Sequence, residues 1–265
     1  MKLKFKRTNE TIILNKKRTL YRIKTLVDFG NIKAGTKGGY VEFDENLSHD
    51  GLCWIADKAM AYGHSRVSGN GLLKDRAVIK DYVCVHGNGI VCGEAYLNKS
   101  VHVFDNGAVG GQSFLTGAAT VSGNAVVYCT TLDGIRRFPN MQGLSIITDS
   151  ARLEERGRLK GSATLRGNTL VRGHAFLTDR VVAGGNIVIG GAVHISDDVQ
   201  LLGTVSLGGS CRLRGKVAIC GKPGGLRIAG PSLLLCNTMV YGRGELYGIH
   251  LSGDEFYFAT EKEAA

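Results

Sequence analysis

From Ile55 to Val126 the chain, written in sixes, reads IADKAM AYGHSR VSGNGL LKDRAV IKDYVC VHGNGI VCGEAY LNKSVH VFDNGA VGGQSF LTGAAT VSGNAV. Each block opens on an aliphatic residue: Ile55, Ala61, Val67, Leu73, Ile79, Val85, Val91, Leu97, Val103, Val109, Leu115 and Val121, with Val127 next in phase. The fifth place is mostly small (Ala59, Ser65, Gly71, Ala77, Ala95, Ala119, Ala125), and the third is mostly Gly or Asp. A helical period of 3.6 drifts out of this phase within two blocks. Six residues suit a short strand and a corner, with the small and aliphatic residues pointing in and the residue between them pointing out. Asn70, Asn88, Asn106 and Asn124 then add a second period of 18, each preceded by Gly or Asp. An asparagine at every third corner implies three sides per coil. Asparagine tolerates the left-handed backbone of a tight corner, and its amides can stack as a ladder.

Working outward, residues 128–146 (YCTTLDGIRRFPNMQGLSI) contain a proline and no sixes, and read as an excursion loop. The period returns at Ile147 or Leu153 and runs to Ile219; Lys222-Pro223-Gly224-Gly225 shifts the phase, and Ile228, Leu234, Val240 and Leu246 carry it on. The expected division is a basic N-terminal cap (1–52), a first β-helix section (53–127), the excursion (128–146), a second section (147–221), and final coils with a C-terminal cap (222–265). The expected fold is all-β: a single-stranded parallel β-helix of about ten triangular coils with an N-terminal β cap. Stacks of this kind expose backbone at both ends and need caps.

Composition agrees. Glycine is doubled relative to the usual share of ~7%, at 38 of 265 residues, while proline is held to 3. The combination excludes collagen and Pro-rich disorder. No stretch approaches the ~20 apolar residues of a spanning helix. The N-terminal MKLKFKRTNETIIL shows no export signal, and the seven cysteines form no CxxC pair, so a cytoplasmic protein is expected. The net charge of +10 is concentrated: residues 1–24 carry +8, and the other 241 residues only +2. Without interleaved aromatics on one face, this basic end reads as a solvated cap rather than a nucleic-acid surface.

The residue before each aliphatic position faces outward. Sorted by 18, these residues form three columns: Trp54, Leu72, Ile90, Ala108, Val126; then Met60, Val78, Tyr96, Phe114; then Arg66, Cys84, His102, Thr120. Two sides are apolar, which marks contact surfaces. Two different apolar sides fit a closed ring, so a homotrimer is expected ahead of a dimer, with cover by the N-terminal segment and the 128–146 excursion in a monomer as the alternative. Cys84 and His102 are neighbours in the polar column and can form a nucleophile pair, although no acid lies beside them and Arg66 has the wrong sign to orient an imidazolium. His86 projects from a corner between Ser68 and Phe104. In the second section Arg158, Phe176, His194 and Arg212 make a basic column suited to a phosphate-bearing ligand or to plain solvation. No two histidines have the spacing of a histidine-zinc site, no GxxxxGK[ST] is present, and no metal is expected.

The block VDFGNIKAGTKGGYV (27–41), followed by Leu47-Ser48 and GLCWI (51–55), resembles the YdcK-like family of hexapeptide-repeat proteins, some of them phage-borne; LRIAGP (226–231) looks like its closing segment. The resemblance implies a left-handed coil, a hand that periodicity alone does not give. It also implies an acyltransferase label inherited from the wider class, with acyl-CoA or acetyl-CoA as donor. No catalytic motif carries over. In that class an outward histidine is the general base, which here means His86 or His102. Arg136 and Arg137 of the excursion, with Arg158 and Arg212, are the candidate phosphate-holding residues. The competing expectation is a non-catalytic binding or assembly protein, of bacterial or prophage origin, that uses its flat apolar faces.

Overall fold

The computed structural model describes residues 3–129 and 138–260, and the chain divides into two compact units, Met1–Tyr128 and Cys129–Ala265. Both are stacks of parallel β coils. Among the described residues there is no α-helix; a single 3-10 turn spans Asp44–Asn46.

In the first unit, β1 (Phe5–Leu14) and β2 (Arg18–Thr25) form an antiparallel hairpin, and β2 pairs antiparallel with β3 (Lys37–Val41). The sheet joins the coils through β3, whose Tyr40 and Val41 lie parallel to Met60 and Ala61. From there each side is a two-residue strand in register with the residues 18 further on: Trp54 with Leu72, Leu72 with Ile90, Ile90 with Ala108. The aliphatic residues at six-residue spacing point inward and are wholly buried, from Ile55, Ala61 and Val67 to Val127. Each such Val, Leu or Ile side chain contributes roughly 1.5–3 kcal/mol relative to exposure. The small residue two places earlier leaves room for this column.

The corners differ from the expectation in one respect. The left-handed residue is the third of each six, not the asparagine after it: from Asp57 to Gly123 every sixth residue has positive φ. Gly87 shows why glycine is favoured there, since a Cβ on it would meet the Asp105 nitrogen at 2.9 Å with φ +59. Aspartate occupies such corners by another route. Its carboxylate accepts a hydrogen bond from the amide one coil on, as Asp75 does from Gly93 (2.8 Å) and Asp57 from Asp75 (3.0 Å). The asparagines do form the ladder, Asn70 to Asn88 to Asn106 to Asn124, with each amide donating at 3.0 Å.

In the second unit, coil strands occur within part of the segment expected as an excursion. Asn140 and Met141 pair with Arg158 and Leu159, and Ile146 with Thr164. Toward the C-terminus the strands lengthen to His194–Leu207 and Arg212–Ala229. Their register slips where Lys222–Gly225 adds residues, so that Val205 faces Leu226, a step of 21. The next step is shorter: Phe256–Ala259 lies against Met239–Gly242, 17 residues apart.

Candidate functional site

The structure stacks Arg66, Cys84, His102 and Thr120 in one column of the first unit, as spacing predicts. The chemistry of a thiolate nucleophile is not built there. Burial pushes the Cys84 thiol above its ordinary range, with Arg66 only partly opposing this, and its Sγ lies 3.7 Å from the Tyr82 carbonyl. His86 lies flat on Phe104, rings 5.0 Å apart and 3° from parallel, just as His64 lies on Tyr82. Among the described residues neither His86 nor His102 is held by a carboxylate, the usual way an imidazole base is oriented.

The basic column is real. Arg158, Phe176, His194 and Arg212 occupy successive coils in register within the second unit. Arg158, His194 and Arg212 are exposed, and Phe176 packs edge-on to the His194 ring at 5.9 Å. Neither Arg158 nor Arg212 meets an acidic side chain among the described residues, whereas Arg214 beside them reaches Asp197 at 3.4 Å. One corner away, Arg156 sits 2.9 Å from the His174 ring nitrogen. The face therefore presents guanidinium groups free to hold an oxyanion by charge-assisted hydrogen bonds. Arg136 and Arg137 lie outside the described residues.

Of the apolar outward faces, Trp54 must be removed. It is 3% exposed, covered on the side of the N-terminal segment by Phe29 at 5.6 Å. Ile90 stays exposed, while Leu72, Met60, Val78, Tyr96 and Phe114 are half-buried in the chain. The sequence reading misses a groove in the second unit lined by Gln200, Leu202, Ala218, Cys220, Met239 and Tyr241. A fixed count of 18 aligns Gln200 with Ala218 but not Ala218 with Met239, because the next register steps there are 21 and then 17. Among the described residues no group of three or more His, Cys, Asp or Glu is placed to hold a metal, and no helix is long and apolar enough to cross a membrane.

Stacked parallel coils, an inward aliphatic column and left-handed corners define a β-solenoid. No protein-family model matches the chain. Over 66 residues, 24% of its length, it is 38% identical to the "Uncharacterized acetyltransferase YdcK" of Escherichia coli (strain K12), and the match spans 20% of that protein.

Proposed function

We propose that the protein transfers an acyl group from an acyl-CoA to a hydroxyl or amine acceptor. The partial similarity to a protein named an acetyltransferase supports the class of reaction. The observation that carries the reading on this chain is the column Arg158–Phe176–His194–Arg212, whose two arginines, at the ends of the column on one side of the coils, have no acidic partner among the described residues. Arg158 and Arg212 hold CoA phosphates. At a cleft between neighbouring copies of the chain, His102 or His86 of one copy takes the acceptor's proton as its oxygen or nitrogen attacks the thioester carbonyl of the CoA held by another; the carbon–sulfur bond breaks, and the CoA thiolate leaves and is protonated. The chain works as a homo-oligomer, a trimer ahead of a dimer, through the Leu72/Ile90 and Met60/Val78/Tyr96/Phe114 faces.

Calorimetric titration with acetyl-CoA and with CoA tests the reading. Binding in the micromolar range is expected, weakened tenfold or more in Arg158→Gln/Arg212→Gln. His102→Ala and His86→Ala should retain binding, with one of them losing acyl transfer to a screened set of amines and alcohols. No binding by the folded protein would favour a second reading, a non-catalytic binding or assembly protein. The feature that favours it is that, among the described residues, no carboxylate orients either histidine, with His86 stacked on Phe104 as a rung of the corner.

A further inference from the structure

The groove in the second unit has a floor, two walls and two different ends. Its floor is Ala218 and Cys220, the small outward residues of one rung. On one side lie Gln200 and Leu202, paired in register with them; on the other lie Met239 and Tyr241, with Phe256 and Phe258 one rung beyond. Small residues between large ones make a trough that runs along the strand. At the Cys220 end the lining is apolar apart from Gln200, around about 360 Å³, and Leu202, Met239, Phe256 and Phe258 are exposed. Tyr241 and Phe258 pack edge to face at 5.8 Å, and Phe256 and Phe258 at 4.7 Å, which fixes that wall.

The other end carries more polar groups and is continuous with the first, sharing Gln200, Ala218 and Met239; Asp198, Lys216, Val217, Asn237 and Thr238 complete it around about 300 Å³. Most of these groups are already engaged. Asp198 is paired with Arg180 at 3.0 Å, the Asn237 amide donates to Asp254 at 2.6 Å, and the Thr238 hydroxyl donates to the Leu235 carbonyl at 2.6 Å. Lys216 is exposed and has no partner among the described residues. At the apolar end the nearby cation, Lys222, is placed over the Tyr241 ring at 4.8 Å. An unpaired ammonium at one end of an apolar trough is complementary to one kind of small molecule: a hydrocarbon chain ending in an anion. Concave, mostly apolar sites with few polar groups are the usual form of small-ligand sites.

We infer that this trough binds a medium-chain carboxylate, its carboxylate on Lys216 and its chain over Ala218 and Cys220 between Leu202 and the Met239–Tyr241 wall. The inference stands apart from the acyl-transfer reading, since none of these residues has a role there. The test uses decanoate and the full chain. Submillimolar, saturable binding is expected by calorimetry, with decanol binding at least fivefold more weakly. Ala218→Phe, which fills the trough, should abolish binding, and Lys216→Gln should weaken decanoate to the level of decanol. Cys220 supplies a local readout. It is half-buried in the floor, and Cys236 is exposed outside it, so decanoate should slow maleimide labelling of Cys220 several-fold and leave Cys236 unchanged. Equal protection of both cysteines, or unaltered binding in Ala218→Phe, overturns the inference. So does an absence of binding by folded wild type. If Phe258→Asp changes the oligomeric state while decanoate leaves Cys220 unprotected, a second copy of the chain covers the trough and the proposal fails.

Discussion

At the scale of single residues, the corner decides what the coil tolerates. The left-handed position stacks directly under its counterpart one coil on, so a side chain there must accept positive φ and leave the neighbouring amide room. Gly87→Val is expected to cost roughly 1–3 kcal/mol, because a β-branched residue is strained at that φ; Gly87→Asn should cost less. Chemical denaturation of both variants checks the order, and equal costs would contradict the strain argument. A second residue gives a pH signature. Burial first, then the charge and hydrogen bond of the neighbouring Tyr96, raises the Tyr62 phenol from its ordinary value to about 12. A folded-state value above the unfolded one of about 10 holds its stabilisation below pH ~10 and loses it as pH rises toward 12. Wild type should therefore lose stability relative to Tyr62→Phe across that window. A difference between the two that stays constant from pH 8 to 11.5 would count against it. Sequence placed the corners correctly and chose the wrong residue for the strain. Spacing locates a corner, but whether its first or second residue turns left-handed depends on which amide lies above it.

At the scale of elements, the N-terminal sheet is tied to the coils by polar groups rather than by periodicity. Lys4 is 3% exposed, and its ammonium donates to the Asp50, Gly51 and Cys53 carbonyls at 3.4, 3.2 and 3.0 Å, lies 3.3 Å from the Cys53 sulfur, and sits 4.9 Å over the Phe29 ring. Asn46, fully buried, donates to the Gly63 and Ser65 carbonyls and accepts from the Glu42 and Phe43 amides. Lys4→Met is expected to destabilise the attachment by about 2–3 kcal/mol, the scale of hydrogen bonds from a charged donor. Trp54, the sole tryptophan, lies beside Phe29, so its emission should shift to the red in that variant at denaturant concentrations where wild type is unchanged. An unshifted spectrum with unchanged stability would show that Lys4 holds nothing. The coils were legible because each outward column repeats at one step. This sheet was not, since antiparallel pairing carries no fixed count, and a buried lysine satisfied by backbone carbonyls leaves no pattern in sequence. Trp54 was placed on an outward contact face, with cover by the N-terminal segment only as the alternative, for the same reason.

At the scale of the whole molecule, the excess of positive charge at the N-terminal end is partly consumed internally. Arg7 reaches Asp44, Arg18 reaches Glu42, and both Arg22 and Lys37 reach Glu10; Arg7, Arg18 and Arg22 also lie over the rings of Tyr21, Tyr62 and Tyr40. Apart from Arg18–Glu42, whose carboxylate is mostly buried, these are exposed pairs that contribute about 0–1 kcal/mol each, so their role is to orient the sheet more than to stabilise it. Assembly is the property the sequence addressed most boldly, and it is tested by mass. Light scattering is expected to give three times the 28.3 kDa chain mass, with Ile90→Asp reducing it. A single species at the chain mass would end the oligomer proposal. The basic column was readable because the count of six is unbroken from Arg158 to Arg212, whereas the C-terminal trough was hidden by the changing steps.

The register that aligns each face has a consequence for how such a chain can change length. Where residues 18 apart are stacked, a tandem duplication of eighteen codons adds a coil and leaves every face with the same neighbours above and below. A duplication of six preserves the buried column equally well, yet turns everything after it by one side, so that an arginine column continues as an apolar one. The fold is indifferent to which of the two occurs, and the surface is not. Lengthening by whole coils is thus inherited as a longer version of the same face, and lengthening by a single side as a different molecule with an unchanged interior.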